Sequence, residues 1–122
     1  MSAPLPLDPI EVRGYHAHIY YAPETKAAAA TLREEIGQRF PEALLGRWHD
    51  PPVGPHPTSM YQIAFPTALF PQLVPYLMLN RRDLTILVHP ETGNAYRDHS
   101  RHALWLGGIL PLLLDKLPGA RD

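Results

Sequence analysis

Histidines are the residues of this chain whose types and spacing could do chemistry. The stretch GYHAHIYY, residues 14–21, has the composition of a β-strand and carries His16 and His18 two positions apart. Successive side chains of a strand point to opposite faces, so both imidazoles share one face. Imidazole binds metal ions and exchanges protons near neutral pH. Taken alone, the pair is more typical of a solvated sheet face than of a pair of metal ligands, and the rest of the chain must decide between these interpretations.

The composition limits what kind of protein can position these histidines. With 122 residues, the chain is long enough for one domain with a hydrophobic core, and we expect a single domain over 1–122, of which 1–11 form a Pro-rich arm. The net charge is −1 and there is no run of Lys and Arg, which excludes an electrostatic nucleic-acid footprint. The chain has no cysteine, which excludes disulfides, thiolate metal sites and cysteine nucleophiles.

Targeting and membrane signals are missing from the sequence. The start, MSAPLPLDPI, has no basic segment followed by an apolar one, and no segment approaches the roughly 18 apolar residues of a membrane span. The sequence therefore predicts a cytoplasmic protein without a membrane partner.

Alternation, helical spacing and proline positions predict four strands and two helices. The strands are expected near 12–21, 44–49, 60–65 and 83–90, and the helices over 24–40 and 67–80, with Pro75 weakening the second helix. The loop DPPVGPHPTS contains four prolines and a glycine, which exclude a helix or central strand there. The order β-α-β-β-α-β predicts an α+β, ferredoxin-like sandwich, in which two helices cover one face of an antiparallel sheet.

Strand parity brings a third histidine to the first two. The helices must cover the apolar face, which holds Ala17 and Ile19 on the first strand and Ile86 and Val88 on the fourth. In this topology the first and fourth strands are neighbours. His16, His18 and His89 therefore converge on the opposite face, and we expect that face to be free of helices and to line the main pocket. This convergence favours a metal site over a solvated surface.

Further histidines lie in two loop stretches. VHPETGNAYRDHSRHALWLG, residues 88–107, carries His89, Asp98, His99 and His102, and GPHP carries His56. Together, HAHIYY, GPHP, HPETG and DHSRHALWLG resemble the signature stretches of the DOPA 4,5-dioxygenase family, whose fungal members open the ring of catechols such as dihydroxyphenylalanine. The resemblance extends from Tyr15 to about Leu112.

The resemblance implies a metal-dependent extradiol dioxygenase that acts on a small catechol and dioxygen and tends to form homodimers. Ring opening beside two phenolic hydroxyls needs a redox-active metal, usually Fe²⁺, although Zn²⁺ could be the metal bound. Fe²⁺ sites commonly use two histidines and one carboxylate. The predicted ligands are His16, His18 and His89 with Asp98; Glu91 is the other carboxylate candidate, and a third histidine in place of a carboxylate is equally compatible.

Proton transfer and substrate binding need further residues. His56 and His99, in loops that could close over the sheet, are the predicted catalytic acid and base groups. Arg97, Tyr20 and His102 are the predicted substrate-binding residues, with Arg97 as a bidentate partner for a substrate carboxylate. Structural interpretations stand beside these: His56 as part of a rigid turn, Asp98 as a turn residue or helix cap, and Arg97 as a solvated cation.

A second functional class is compatible with the same residues. The chain could be a non-catalytic, dimeric module that binds a metal or small ligand, for example zinc held by the same histidines without open chemistry. An RNA-recognition sheet is excluded, because its basic surface and aromatic motifs are missing. The apolar tail LWLGGILPLLL is typical of core or interface, and it supports the expectation of a homodimer.

Overall fold

A five-stranded antiparallel sheet forms the centre of the fold in the computed structural model, which describes residues 5–121. The strands are β1 (Tyr15–Tyr20), β2 (Leu44–Leu45), β3 (Met60–Phe65), β4 (Ile86–Pro90) and β5 (Leu104–Leu106). Their order is β2-β3-β1-β4-β5, so β1 lies between β3 and β4 as predicted. The α+β, ferredoxin-like arrangement is confirmed, with an additional strand at the β4 edge.

Two long helices cover one face of the sheet, hereafter the helix face. They are α1 (Lys26–Arg39) and α2 (Phe70–Asn80), and each is preceded by a short 3₁₀ turn. Proline begins the turn before α1, where its missing N–H costs nothing. Pro75 lies inside α2 and removes one internal hydrogen bond without ending the helix, because the apolar side of α2 packs on the sheet.

The helix face is an apolar core. The helices bury Ala29, Leu32, Ile36, Leu73, Val74 and Leu77 against strand residues that include Ala17, Ile19, Ile63, Ile86 and Val88. Tyr61 adds a buried hydroxyl, which donates to the carbonyl of Ala29 at 2.8 Å. The predicted parity of the first, third and fourth strands is therefore confirmed.

Several element bounds differ from the predicted ones. β1 and β4 are shorter than expected, and β2 has two residues in place of six, although His49 still forms an isolated bridge with Met60. The prolines at 51, 52, 55 and 57 replace regular pairing with an irregular loop. A short helix, α3 (Ala95–His99), lies between β4 and β5. The predicted arm falls partly outside the described residues; its described part is exposed and contains a 3₁₀ turn at Pro9–Glu11.

The opposite face of the sheet, hereafter the histidine face, is free of the two long helices as expected, but it is covered by other segments and is not an open surface. Tyr20, Met60 and Leu87 form a small apolar cluster there, against which pack Ala103, Trp105, Leu110 and Leu112. The cover comes from the C-terminal segment and the proline-rich loop, which are joined by a hydrogen bond from the Leu113 amide to the Pro55 carbonyl at 2.8 Å. Over residues 5–121, the helices are all too short or too polar to cross a membrane.

Candidate functional site

Antiparallel register brings the histidines of β1 and β4 together. His16 lies directly opposite His89, while His18 pairs with Leu87 and is therefore diagonal to His89. Cross-strand and diagonal neighbours on one face are within reach of aromatic side chains. The Nε2 atoms of His18 and His89 lie 3.1 Å apart. The predicted convergence of the three histidines is present in the structure.

The spacing of these nitrogens fits a common metal ion. Two imidazole nitrogens that each lie about 2.1 Å from one ion, at a right angle, are about 3.0 Å apart. The Nε2 separation of His18 and His89 has this value to within about 0.1 Å. The candidate ligand atoms of His16, His18 and His89 all lie within 4.8 Å of one another. These nitrogens could therefore hold one metal ion together, and without an ion the same 3.1 Å separation is that of an N–H···N hydrogen bond between the two rings.

Oxygen atoms face the second ring nitrogen of three histidines. His16 Nδ1 lies 3.2 Å from Glu91 Oε1, His89 Nδ1 lies 2.9 Å from the Pro90 carbonyl, and His99 Nδ1 lies 2.8 Å from the Ala95 carbonyl. The Pro90 and Ala95 carbonyls accept the Nδ1 protons of His89 and His99, which leaves the Nε2 atom of each neutral ring as an acceptor, whereas the Glu91 carboxylate is an ion-pair neighbour of His16. Metal-binding histidines typically donate their other N–H to a carboxylate or carbonyl in this way.

His18 also belongs to a second histidine group. With His56 and His99 it forms a set whose candidate ligand atoms lie within 4.8 Å of one another. The rings of His18 and His56 are in contact, with centroids 4.1 Å apart. Among the described residues, the buried Nδ1 of His18 has no hydrogen-bond partner. A buried polar atom of this kind is costly unless something binds it, which is consistent with an ion or substrate at the junction of the two groups.

Burial keeps the cluster uncharged. His18, His56 and His89 are 2%, 4% and 0% exposed. Burial, followed by repulsion from His99, lowers the pKa of His56 to about 4 and that of His89 to about 3. The pKa of His18 is lowered further below its ordinary value, by burial and then by the surrounding histidines. Near pH 7 the rings are therefore neutral and their lone pairs are available.

The cluster reaches solvent at one end. The side chains of His16 and Glu91 are 26% and 40% exposed. Burial, and then the charge of Asp98, raise the pKa of the Glu91 carboxyl. Glu91 Oε1 lies 3.6 Å from His89 Nδ1 as well as near His16, so one carboxylate faces the Nδ1 side of two candidate ligands. This position suits an orienting partner of the ligands.

Asp98 is engaged in the turn that follows β4. Its two carboxylate oxygens accept hydrogen bonds from Thr92, one from the amide at 2.9 Å and one from the hydroxyl at 2.6 Å. These bonds match the interpretation of Asp98 as a turn residue. Its expected role as a metal ligand stays a prediction, and Glu91 is the carboxylate in contact with the histidine rings.

The predicted substrate-binding residues divide between the two faces. The Tyr20 hydroxyl lies 2.7 Å from His56 Nδ1, and its ring stacks on Trp105 with centroids 6.0 Å apart. Arg97 and His102 instead line a cavity of about 700 Å³ that also contains helix-face residues such as Tyr15, Phe70 and Val88. The expectation that the main pocket follows the histidine face is corrected accordingly, since His89 borders this cavity but its side chain is 0% exposed.

Sequence reasoning missed the residues that enclose the site. Leu87 shares the histidine face with His89, and Met60 and Trp105 complete an apolar layer beside the imidazoles. The apolar residues at 60 and 87 were the available signal, because such side chains at outward positions of two strands indicate a covered face. The contact of Glu91 with His16 depends on the conformation of the turn after β4. The spacing of apolar residues in the sequence does not predict that conformation.

Comparisons with known proteins agree with this geometry. A sequence model described as the Dopa 4,5-dioxygenase family matches residues 15–116. A crystal structure from Nostoc punctiforme, provisionally described as a dioxygenase, is 52% identical, has a TM-score of 0.89, and is matched over 90% of this chain and 95% of its own. The similarity therefore extends over most of the fold.

Two fungal proteins are also similar. A protein of Amanita muscaria named DOPA 4,5-dioxygenase is 39% identical over 120 residues, which are 92% of this chain and 53% of that protein. An uncharacterised 21.2 kDa protein of Botryotinia fuckeliana is 37% identical over 113 residues, which are 83% and 62% of the two chains. The chain thus spans between about half and three fifths of the length of these relatives. By the match over residues 15–116 and the similarity of these proteins, the chain belongs to the Dopa 4,5-dioxygenase family.

Proposed function

We propose that the chain is an extradiol dioxygenase that opens the ring of a small catechol, such as dihydroxyphenylalanine, with Fe²⁺ held on the histidine face. The observation that carries the proposal is the 3.1 Å approach of His18 Nε2 to His89 Nε2 between two further histidines. The name of the Amanita muscaria relative supports the substrate class. The family's reaction inserts both oxygen atoms of O₂ into the catechol, so no reductant is needed.

His16, His18 and His89 are the proposed ligands; Glu91 is the proposed orienting partner of His16, and the Pro90 carbonyl that of His89. Fe²⁺ bound there would supply the redox chemistry with dioxygen that imidazoles lack. Burial keeps the three rings neutral, so binding an ion displaces few protons from them near pH 7. The exposed end at His16 gives the substrate an approach from solvent.

His56 and His99 are the proposed proton-transfer groups. A catechol loses protons when it binds, and neutral His56 can accept one at Nε2. The proton on Nδ1 stays on the ring and forms a hydrogen bond to the Tyr20 hydroxyl oxygen 2.7 Å away, which stabilises the protonated imidazole. His99, with Nδ1 held by the Ala95 carbonyl, keeps Nε2 for returning a proton later in the reaction.

The test is anaerobic loading with Fe²⁺, followed by air and a panel of catechols with and without an amino-acid side chain. We expect oxygen consumption and a new visible absorbance from the ring-opened product. Zn²⁺-loaded protein is the matched control, because it fills the same ligands without redox chemistry. Tight binding of both metals with no oxygen consumption on any catechol would contradict the proposed dioxygenase activity. It would favour the alternative, a non-catalytic metal-binding module.

We also propose that the chain forms a homodimer. Exposed apolar side chains include Leu5, Leu7, Ile10, Leu79 and Ile109. A second copy of the chain would cover part of this surface. Sedimentation at micromolar concentration should give twice the chain mass, and a monomer would contradict the proposal.

A further inference from the structure

We propose that the cavity beside Arg97 binds a small monocarboxylate with an apolar body, at a site separate from the histidine cluster. The cavity, of about 700 Å³, lies between the N-terminal arm around Leu7 and Val12 and the segment that contains α3. This volume falls in the range of about 300–1,000 Å³ that is typical of small-molecule sites. The proposal does not depend on the reaction proposed above.

Arg97 supplies the charge that the ligand would meet. Its buried Nε has no hydrogen-bond partner within residues 5–121, and its guanidinium forms no ion pair with a described carboxylate. An uncompensated cation at a cavity wall is costly, and a carboxylate would compensate it through two parallel hydrogen bonds. The backbone at Arg97 is held in place, because the Arg97 amide donates a hydrogen bond to Asn94 Oδ1 at 3.0 Å at the start of α3.

Apolar side chains form the base of the cavity. Tyr15 and Phe70 pack with ring centroids 4.7 Å apart, and Val88 and Leu104 are paired across β4 and β5. These residues favour an aromatic or aliphatic body on the ligand. Asp8 and Glu11 lie on the wall formed by the arm. Both carboxylates lie on the exposed arm and oppose any negative charge near them, so the favoured ligand carries a single carboxylate, held at Arg97 on the other wall of the cavity.

The cavity does not lead into the histidine cluster. Tyr15 and Val88 belong to the helix-face core, on the other side of the sheet from His18. His89 borders the cavity, but its imidazole is fully buried and offers no passage from it. A ligand beside Arg97 is therefore separated from the proposed metal by the sheet itself.

The test uses phenylacetate and its neutral analogue phenylacetamide, titrated into ¹⁵N-labelled protein and followed by amide chemical shifts. Phenylacetate should shift the Val12 and Leu104 amides in a saturable way, and phenylacetamide should bind at least 10-fold more weakly. Arg97→Gln should weaken phenylacetate binding at least 10-fold, whereas Arg97→Lys, which keeps the charge, should recover part of it. Arg47→Gln is the matched control, since Arg47 is an exposed arginine away from the cavity.

Equal binding of the acid and the amide would overturn the proposal, as would unchanged phenylacetate binding by Arg97→Gln. Shifts centred on His18 and Leu87 in place of Val12 and Leu104 would also overturn it, because they would place the ligand on the histidine face. If Arg97→Gln does not fold, the acid and amide comparison in the unaltered protein and in Arg97→Lys decides the matter.

Discussion

The two faces of the sheet are both buried, but by different means. Amphipathic helices cover the helix face with aliphatic side chains, whereas an irregular loop and the C-terminal segment cover the histidine face. The first cover satisfies its own backbone hydrogen bonds and adds stability by apolar burial. The second encloses polar rings whose lone pairs lack protein partners, as at His18 Nδ1. One face therefore has the construction of a stable core, and the other has the unpartnered polar atoms that the proposed metal site requires.

Replacement of His18 should produce the largest effect, because His18 belongs to both histidine groups. We expect His18→Gln to bind Fe²⁺ weakly and to lower turnover by about 10³-fold or more. The substitution removes a proposed ligand and also the residue that the two histidine groups share. Metal analysis and oxygen consumption measure the two losses. His49→Gln is the control, and a His18→Gln protein that keeps both metal and turnover would show that the histidine face is not the site.

A substitution that leaves a cavity in the helix-face core should lower the stability of the fold but not its affinity for metal. Leu73 is fully buried, and Leu73→Ala should lower the free energy of unfolding by about 2–5 kcal/mol. Urea denaturation measures the loss, and Fe²⁺ titration below the unfolding range measures affinity. An equal fall in metal affinity would mean that the two faces are coupled, contrary to their separate construction.

Acid should destabilise the histidine face of the metal-free protein. The folded pKa of His89 is about 3, below its ordinary value near 6.5, so the unfolded chain binds more protons between these values. Stability is therefore present above pH 6.5 and is lost as the pH falls. We expect a loss of about 2 kcal/mol from this residue between pH 7 and pH 5.

Urea denaturation of chelator-treated protein at pH 7, 6 and 5 measures this loss. The Leu73→Ala protein should show the same pH dependence, displaced to lower stability, because no titrating group is changed. Identical denaturation midpoints at pH 7 and pH 5 would contradict the assignment of His89 as a neutral buried ring.

The smallest effect is expected at Glu91. Glu91→Gln keeps the size of the side chain but removes the negative charge 3.2 Å from His16 Nδ1, so metal affinity should fall by about 10-fold. Competition with a coloured chelator measures it. Glu42→Gln is the matched control for an exposed carboxylate. A loss as large as that of His18→Gln would identify Glu91 as a direct ligand.

The helix face was predictable because period-2 and helical spacing report which side chains are buried together. Parity also predicted the meeting of His16, His18 and His89, since it follows from strand order and alternation alone. The lengths of β2 and of the proline-rich loop were not predictable, because irregular backbone has no period. Arg97 and His99 are two residues apart on α3 but face different sites. The sequence could not predict this, because the rotation of a five-residue helix about its axis leaves no clear periodicity.

The hydrogen bond from the Leu113 amide to the Pro55 carbonyl joins two segments that have little regular structure of their own. Because either segment must break this hydrogen bond to leave the sheet, we expect the two segments to open together. Amide hydrogen exchange at His56 and Leu113 should therefore follow a common opening rate, although the two residues are far apart along the chain. If the two openings are coupled in this way, release of the C-terminal segment would also separate His56 from Tyr20, and exchange at Leu113 would report the lifetime of that contact.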